Sequence, residues 1–285
     1  MADALKQVEV YSTSNQNIQL SGGNTIQIVP RKSPTGQWTS GRIESQATFT
    51  PAPGKIMIVE GLIRFGSNAQ GNKQGMWPAF WMLGDSVHHG TPWPQCGELD
   101  IMEQVNGILT GYGTAHCGTN PGGACNEPVG KSATVAIADD NFHAWTIKID
   151  RTNSDNYQAE SITWLLDGNP YQTLTGADIG DQGTWATLAH SPLFIILNLA
   201  VGGDCTFLPF LFPFSTSLLL PTPPLHCSSH SVLCHPRTDK RTYRARCSQR
   251  RYSGRLRLHD GSRPRRRLLQ LSAAQGGEKR NLSAI

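Results

Sequence analysis

Helical periodicity, long apolar runs and, over most of its length, charge are what this chain has least of. Charged residues make up 16% of its 285 positions, too few for a solvated coiled coil or a polar disordered chain. No stretch of twelve or more residues repeats its apolar positions with a 3.6 period, which argues against a helical bundle. The longest greasy segment, FLPFLFPFSTSLLL (207–220), is shorter than the roughly 20 residues that span a bilayer and is cut by Pro209 and Pro213. No membrane partner is expected. The opening MADALKQVEV lacks the apolar core of a secretory signal. No cluster of histidines and cysteines has metal-ligand spacing, so neither a metal nor a cofactor is expected.

What is present is unevenly spread. All seven tryptophans lie before residue 186. Residues 1–203 hold 10 Lys and Arg against 17 Asp and Glu, whereas residues 204–285 hold 15 against 4. A basic segment of this kind suggests a nucleic-acid partner. Its arginines lack the regular basic and aromatic patterning that aims charge at a nucleic acid, so no specific one is expected. The seven cysteines are an odd number and cannot all pair within the chain. Cys117 and Cys125 flank the turn-rich GTNPGGA, and the two states, a local disulfide or two loop thiols, stay equally open.

From residue 8 to 201 the pattern is strand after strand. NTIQIVP, GRIESQATF, MIVEGLIRF, HAWTIKID and SITWLLDG alternate apolar with polar residues and favour branched and aromatic side chains. LLDGNPY (165–171) carries an Asp-Gly hairpin signal. LFIILNLAV (193–201) is continuously apolar, as in a strand covered on both faces. Many short strands parted by Gly, Pro, Asn and Asp predict an all-β sandwich or jelly roll. After Gly203 the pattern gives way to a Phe/Pro/Ser tract and then an Arg-rich one. Residues 1–204 are therefore read as one domain and residues 205–285 as a low-complexity, disordered tail.

The segment GELDIMEQV (97–105) sets three acids, Glu98, Asp100 and Glu103, among apolar neighbours. Alternate residues of a strand share a face, so Glu98 and Asp100 point the same way and Glu103 points the other. One extra residue, a β-bulge at Ile101-Met102, returns Glu103 to the face of the other two. Hydrolysis of a glycoside with retention uses one carboxylate as nucleophile and one carboxylic acid as proton donor, roughly 5–5.5 Å apart. A third acid between them pushes protonation apart, so that one group stays charged while another keeps its proton. The bland alternative is a strand with a solvated acidic face. Two neighbours weigh against it. GMWPAFWMLG (75–84) and Trp93 supply aromatic rings that can stack on sugars. GTAHCG (113–118) brings His116 to the next strand.

Taken together, TSGRIES (39–45), GMWPAFWMLG, WPQCGELDIMEQVNG (93–107), YGTAHCG, FHAWTIKID (142–150), WLLDGNPY (164–171) and FIILNLAVGGD (194–204) resemble glycoside hydrolase family 16, in that family's order. Within it the chain is similar to the fungal endo-β-1,3(4)-glucanase, laminarinase-like branch. The resemblance implies a concanavalin A-like β-jelly-roll sandwich with a cleft on its concave face. It implies a monomeric, extracellular enzyme that cleaves β-1,3 or mixed β-1,3/1,4-glucan internally with retention. By position it makes Glu98 the nucleophile, Asp100 the residue that tunes it and Glu103 the acid/base. Trp77, Trp81, Trp93 and His116 match substrate-binding positions, and Arg42 and Asn198 sit in matching segments. A glucan transglycosylase, or a non-catalytic β-glucan-binding module, would use the same scaffold. The family's closing strand is not recognisable after Asp204, and the first strand or two look replaced. The expectation is a sandwich incomplete at its C-terminal strand, as in a mis-spliced or frame-shifted gene product, and hence poorly soluble and impaired.

Overall fold

The computed structural model describes residues 7–21 and 25–202, and the backbone of three strands at 253–259, 270–273 and 280–283. In chain order the strands are β1 (Glu9–Tyr11), β2 (Ile18–Leu20), β3 (Ile26–Ile28), β4 (Arg31–Lys32), β5 (Trp38–Ser40), β6 (Arg42–Ser45), β7 (Ile56–Arg64), β8 (Met76–Gly84) and β9 (Glu98–Glu103). There follow β10 (Thr110–His116), β11 (Lys131–Ala136), β12 (His143–Asp150), β13 (Ser161–Leu166), β14 (Asn169–Thr175), β15 (Leu193–Val201), β16 (Ser253–His259), β17 (Gln270–Ala273) and β18 (Arg280–Ser283).

Two large sheets form a β-jelly-roll sandwich. One runs β11-β10-β9-β8-β15-β6-β17-β18 and the other β14-β13-β12-β7-β16-β3-β2. Alternation within each strand makes the layers. In β8, Met76, Phe80 and Met82 are buried while Trp77, Ala79 and Trp81 between them are only half-buried. The inward set meets the inward set of the facing sheet, so that Phe80, Met82, Leu99 and Met102 share one core with Val59, Trp145, Ile147, Ile149 and Trp164. Close approach is needed at Gly61, where an added Cβ would lie 2.8 Å from the Phe80 ring. β15 is buried along nearly its whole length, as its unbroken apolar sequence predicts. It lies between β8 and β6 and aligns residue for residue with β8, from Leu193 opposite Gly84 to Val201 opposite Met76.

Two features lie beyond the sequence reading. Between β14 and β15 the chain forms α1 (Gly176–Ile179) and α2 (Gln182–Ala189). These helices are shorter than the window in which a 3.6 period was sought. Asp181 caps α2 by accepting from the Thr184 N–H at 2.7 Å, and Trp185, Leu188 and Ala189 are buried. The second concerns the segment beyond residue 204. In the structure β16 runs antiparallel along β7, from Ser253 opposite Arg64 to His259 opposite Ile58, with Gly254 also opposite Ile26. This backbone adds a strand to the sheet that faces the one carrying Glu98, Asp100 and Glu103. β17 pairs with β6 and with β18, and the rest of residues 205–285 lies outside the described residues. The open choice at the cysteines is resolved: Cys117 and Cys125 form a disulfide. Among the described residues no helix is long and apolar enough to cross a membrane.

Candidate active site

Strand β9 lies between β8 and β10, and its pairing is interrupted at one place. Leu83, Met82 and Trp81 face Glu98, Leu99 and Asp100; the next residue of β8, Phe80, faces Met102, and Ala79 faces Glu103. The same slip appears against β10, where Thr114 faces Asp100 and Tyr112 faces Glu103. β9 thus carries one residue more than either neighbour across Ile101-Met102, which is a β-bulge. The side-chain count then comes right. Glu98, Asp100 and Glu103 stand opposite Leu83, Trp81 and Ala79, alternate residues of one strand, so the three acids share the face of the sheet that carries Trp77 and Trp81. Leu99, Ile101 and Met102 go to the core.

The acids lie close together, with Asp100 buried and Glu98 and Glu103 half-buried. Asp100 is 5% exposed. A carboxylate oxygen of Glu98, one of Asp100 and a ring nitrogen of His116 lie within 4.8 Å of one another. Burial raises the pKa of all three carboxyls, and their mutual repulsion adds to it for Glu98 and Asp100. Glu98 is pushed up to about 7, with His116 and Arg42 acting against the rise. Asp100 is held well above the usual carboxylate range, by burial and then by Glu103, Glu98 and Glu127. Glu103 is raised by burial, while the charge of His116 and the indole N–H of Trp77, donated to its Oε1 at 2.7 Å, pull it back. Glu98, Asp100 and His116 are the one grouping of possible metal ligands among the described residues. Three is short of a closed structural site, and acids crowded against an imidazole suit proton transfer equally well.

His116 sits inside this cluster. Its Nε2 is 3.5 Å from Asp100 Oδ2, and its Nδ1 donates to Glu127 Oε2 at 2.8 Å. The other oxygen of Glu127 accepts the Cys117 backbone N–H at 2.8 Å. Both side chains are buried, and the Cys117–Cys125 disulfide ties down the loop that carries Glu127. Burial lowers the pKa of His116, but Glu127, Glu98 and Glu103 more than offset that and raise it. Glu127 escaped the sequence reading. The one signal it left is its place two residues after Cys125, at the end of a loop that starts beside His116.

The aromatic residues divide. Trp77 reaches Glu103 directly. Trp93 packs beside Leu83, Cys96, Phe194 and Ile196, with its ring 5.5 Å from that of His116. Trp81 stands opposite Asp100 and donates its indole N–H to Asn198 Oδ1 at 2.7 Å. The amide of Asn198 in turn donates to the Tyr11 hydroxyl at 3.1 Å. The guanidinium of Arg42 lies 5.0 Å over the Trp81 ring, and its Nη2 is 2.8 Å from Glu44. Asn198 is opposite both Ala79 and Arg42, so this polar and aromatic surface continues the acidic face across β8, β15 and β6. Tyr11, brought in by the short β1, is a further member that the sequence did not single out.

Comparison with known proteins identifies the family and the fold. A family model described as XgeA-like, catalytic GH16 domain, matches residues 2–162. The solved structure of an endo-1,3-beta-glucanase from Streptomyces sioyaensis is 38% identical and superposes with a TM-score of 0.64, covering 69% of this chain and 71% of that one. That of an endo-beta-1,3-glucanase from Pyrococcus furiosus is 28% identical with a TM-score of 0.52, covering 70% and 71%. A beta-glucanase from Rhodothermus marinus is 26% identical over 212 residues, which are 70% of this chain and 65% of that protein. The chain therefore spans somewhat less than two thirds of the length of that relative.

Proposed function

The chain belongs to glycoside hydrolase family 16, and on that premise we propose that it cleaves β-1,3 or mixed β-1,3/1,4-glucan internally, with retention, by double displacement. The observation that carries this reading is the bulge of β9, which sets Glu98, Asp100 and Glu103 on one face beside Trp77 and Trp81. Glu98 attacks the anomeric carbon. Glu103 gives its proton to the departing glycosidic oxygen, and the bond to the leaving sugar breaks as the bond to Glu98 forms. Water, deprotonated by Glu103, then releases the glycosyl group from Glu98. Asp100 stays protonated between them and donates toward Glu98, while His116, backed by Glu127, limits the repulsion among the acids. The rings of Trp77, Trp81 and Trp93 stack on the sugar units.

These roles are assigned to the substrate-bound state. With the cleft empty, burial raises the pKa of both Glu98 and Glu103, and His116 and the Trp77 N–H offset part of the rise at Glu103. A glucan that supplies an electrophilic carbon to Glu98 and a basic oxygen to Glu103 draws the first to its charged form and uses the proton held by the second. Fungal origin and action outside the cell stand on the motif resemblance alone, since the relatives named above are bacterial and archaeal.

Chemical rescue tests the roles. With an activated β-glucoside and azide, Glu98→Ala is expected to give the α-glycosyl azide and Glu103→Ala the β-glycosyl azide. The reverse pattern would exchange the two roles, and an α-anomeric first product from the wild type would remove retention. Sizing of laminarin products separates hydrolysis from transglycosylation.

A further inference from the structure

Strand β10 carries two glycines that face the opposite sheet, and each leaves room for a tryptophan from it. A Cβ at Gly111 would lie 2.2 Å from Trp145 Cη2. One at Gly113 would lie 2.6 Å from Trp164 Cδ1 and 2.5 Å from the Tyr171 hydroxyl. Trp145 and Trp164 sit on the paired strands β12 and β13, and both are wholly buried. They differ in one respect. The indole N–H of Trp164 donates to the backbone carbonyl of Asp100 at 2.8 Å. The indole nitrogen of Trp145 has no hydrogen-bond partner among the described residues. The Tyr171 hydroxyl adds a longer contact, 3.4 Å, to the carbonyl of Ile101.

Asp100 and Ile101 are where β9 leaves its register. A bulge takes backbone groups out of the ladder, and a carbonyl turned into a dry core has to find another donor. Here the donors come across the sandwich. Gly113 is the β10 residue skipped over at the slip, so the notch lies against the bulge itself. An indole suits this task, being rigid at two side-chain torsions and long enough to cross much of the roughly 10 Å between stacked sheets.

We propose that Trp164, with Tyr171 as a weaker second, is a positioning residue that clamps the β9 bulge from the facing sheet. The clamp holds Asp100 in place and sets the kink that returns Glu103 to the face of Glu98. Its consequence for catalysis depends on the glucanase reading above; its consequence for the shape of β9 does not. Neither residue touches the cleft, so the clamp controls where the acids stand rather than how substrate binds.

The matched pair Trp164→Phe and Trp145→Phe tests this in the full chain. Each loses one buried pyrrole ring, and only the first loses a hydrogen bond to β9. Amide hydrogen exchange in a peptide spanning residues 98–105 is expected to speed up about tenfold in Trp164→Phe and to stay at the wild-type rate in Trp145→Phe. On laminarin, kcat is expected to fall about tenfold or more in Trp164→Phe, with KM little changed and with kcat retained in Trp145→Phe. Equal exchange or equal kcat losses in the two variants would overturn the clamp. Should Trp164→Phe fail to fold, Tyr171→Phe decides: faster exchange across 98–105 supports the proposal and unchanged exchange overturns it. A wild-type chain that leaves laminarin intact would remove the glucanase reading, and the exchange comparison would still judge the clamp.

Discussion

Strands β9 and β12 face each other across one core and are built by opposite rules. β12 pairs without a slip against β7, from His143 opposite Ile63 to Asp150 opposite Ile56, and without a slip against β13. Its Trp145, Ile147 and Ile149 are fully buried, while Lys148 and Asp150 turn outward and pair at 3.3 Å. β9 breaks register in the middle and buries one acid, Asp100, between two half-buried ones, Glu98 and Glu103. A regular strand gains stability from alternation, since each inward side chain adds buried apolar area. The bulged strand gives up part of that gain to hold like charges side by side. The comparison teaches where the molecule keeps its stability and where it keeps its reactivity.

Substitution should separate the two strands most sharply at their central residues. Glu98→Gln is expected to lower kcat on laminarin by about three orders of magnitude and to leave the melting temperature unchanged or higher. Ile147→Ala, which empties part of the core, is expected to cost about 2–5 kcal/mol in urea unfolding and to leave the kcat of the folded enzyme intact. Substantial activity in Glu98→Gln, or catalytic loss in Ile147→Ala without loss of stability, would break the division.

Asp100→Asn should show the same trade within β9. A carboxyl whose folded pKa is raised binds its proton more tightly in the folded chain than in the unfolded one. Its contribution to stability is therefore present at low pH and lost as pH rises through the folded value, the reverse of an ordinary paired carboxylate. Glu98, Asp100 and Glu103 all carry this sign. The raised His116 acts in the same direction, since its stabilisation also fades as pH rises. The wild type should melt higher at pH 5 than at pH 8. Asp100→Asn should recover roughly 3 °C or more at pH 8 and lose about a hundredfold in kcat. A variant that melts lower at both pH values would show that Asp100 is held by contacts that outweigh its burial.

Much of this site could be read from residues 97–105, because three acids at that spacing share a face only if the strand carries an extra residue, and Ile101-Met102 was the place that put no acid in the core. The alternation in β7, β12 and β13 was equally plain. What could not be read follows from physical causes. α1 and α2 are four and eight residues long, too short to show a period, and caps such as Asp181 decide them. The strand SGRLRLH (253–259) does alternate Leu with Arg at period two, but its arginine-rich setting hid the pattern behind composition. The position of β15 between β8 and β6 depends on non-local pairing, which no local spacing encodes. Glu127 was missed for the same reason, since a disulfide loop and the end of β10 bring it to His116.

The smallest expected effect comes from that residue, and it asks whether the acidic face of β9 is governed from outside its own strand. Glu127→Gln keeps an oxygen to accept the Cys117 N–H and removes the charge beside His116 Nδ1. Burial then acts on the imidazole with less opposition. Asp100, 3.5 Å from Nε2, and the charges of Glu98 and Glu103 still face it, so the change should be partial. The His116 ring proton, followed by NMR across pH, should titrate at a lower midpoint than in the wild type, and kcat should fall about three- to tenfold at neutral pH as the imidazolium is depleted. The midpoint separates positioning from packing: a drop in kcat with the His116 midpoint unmoved would mean that Glu127 only braces the loop, and β9 would then govern its own acids.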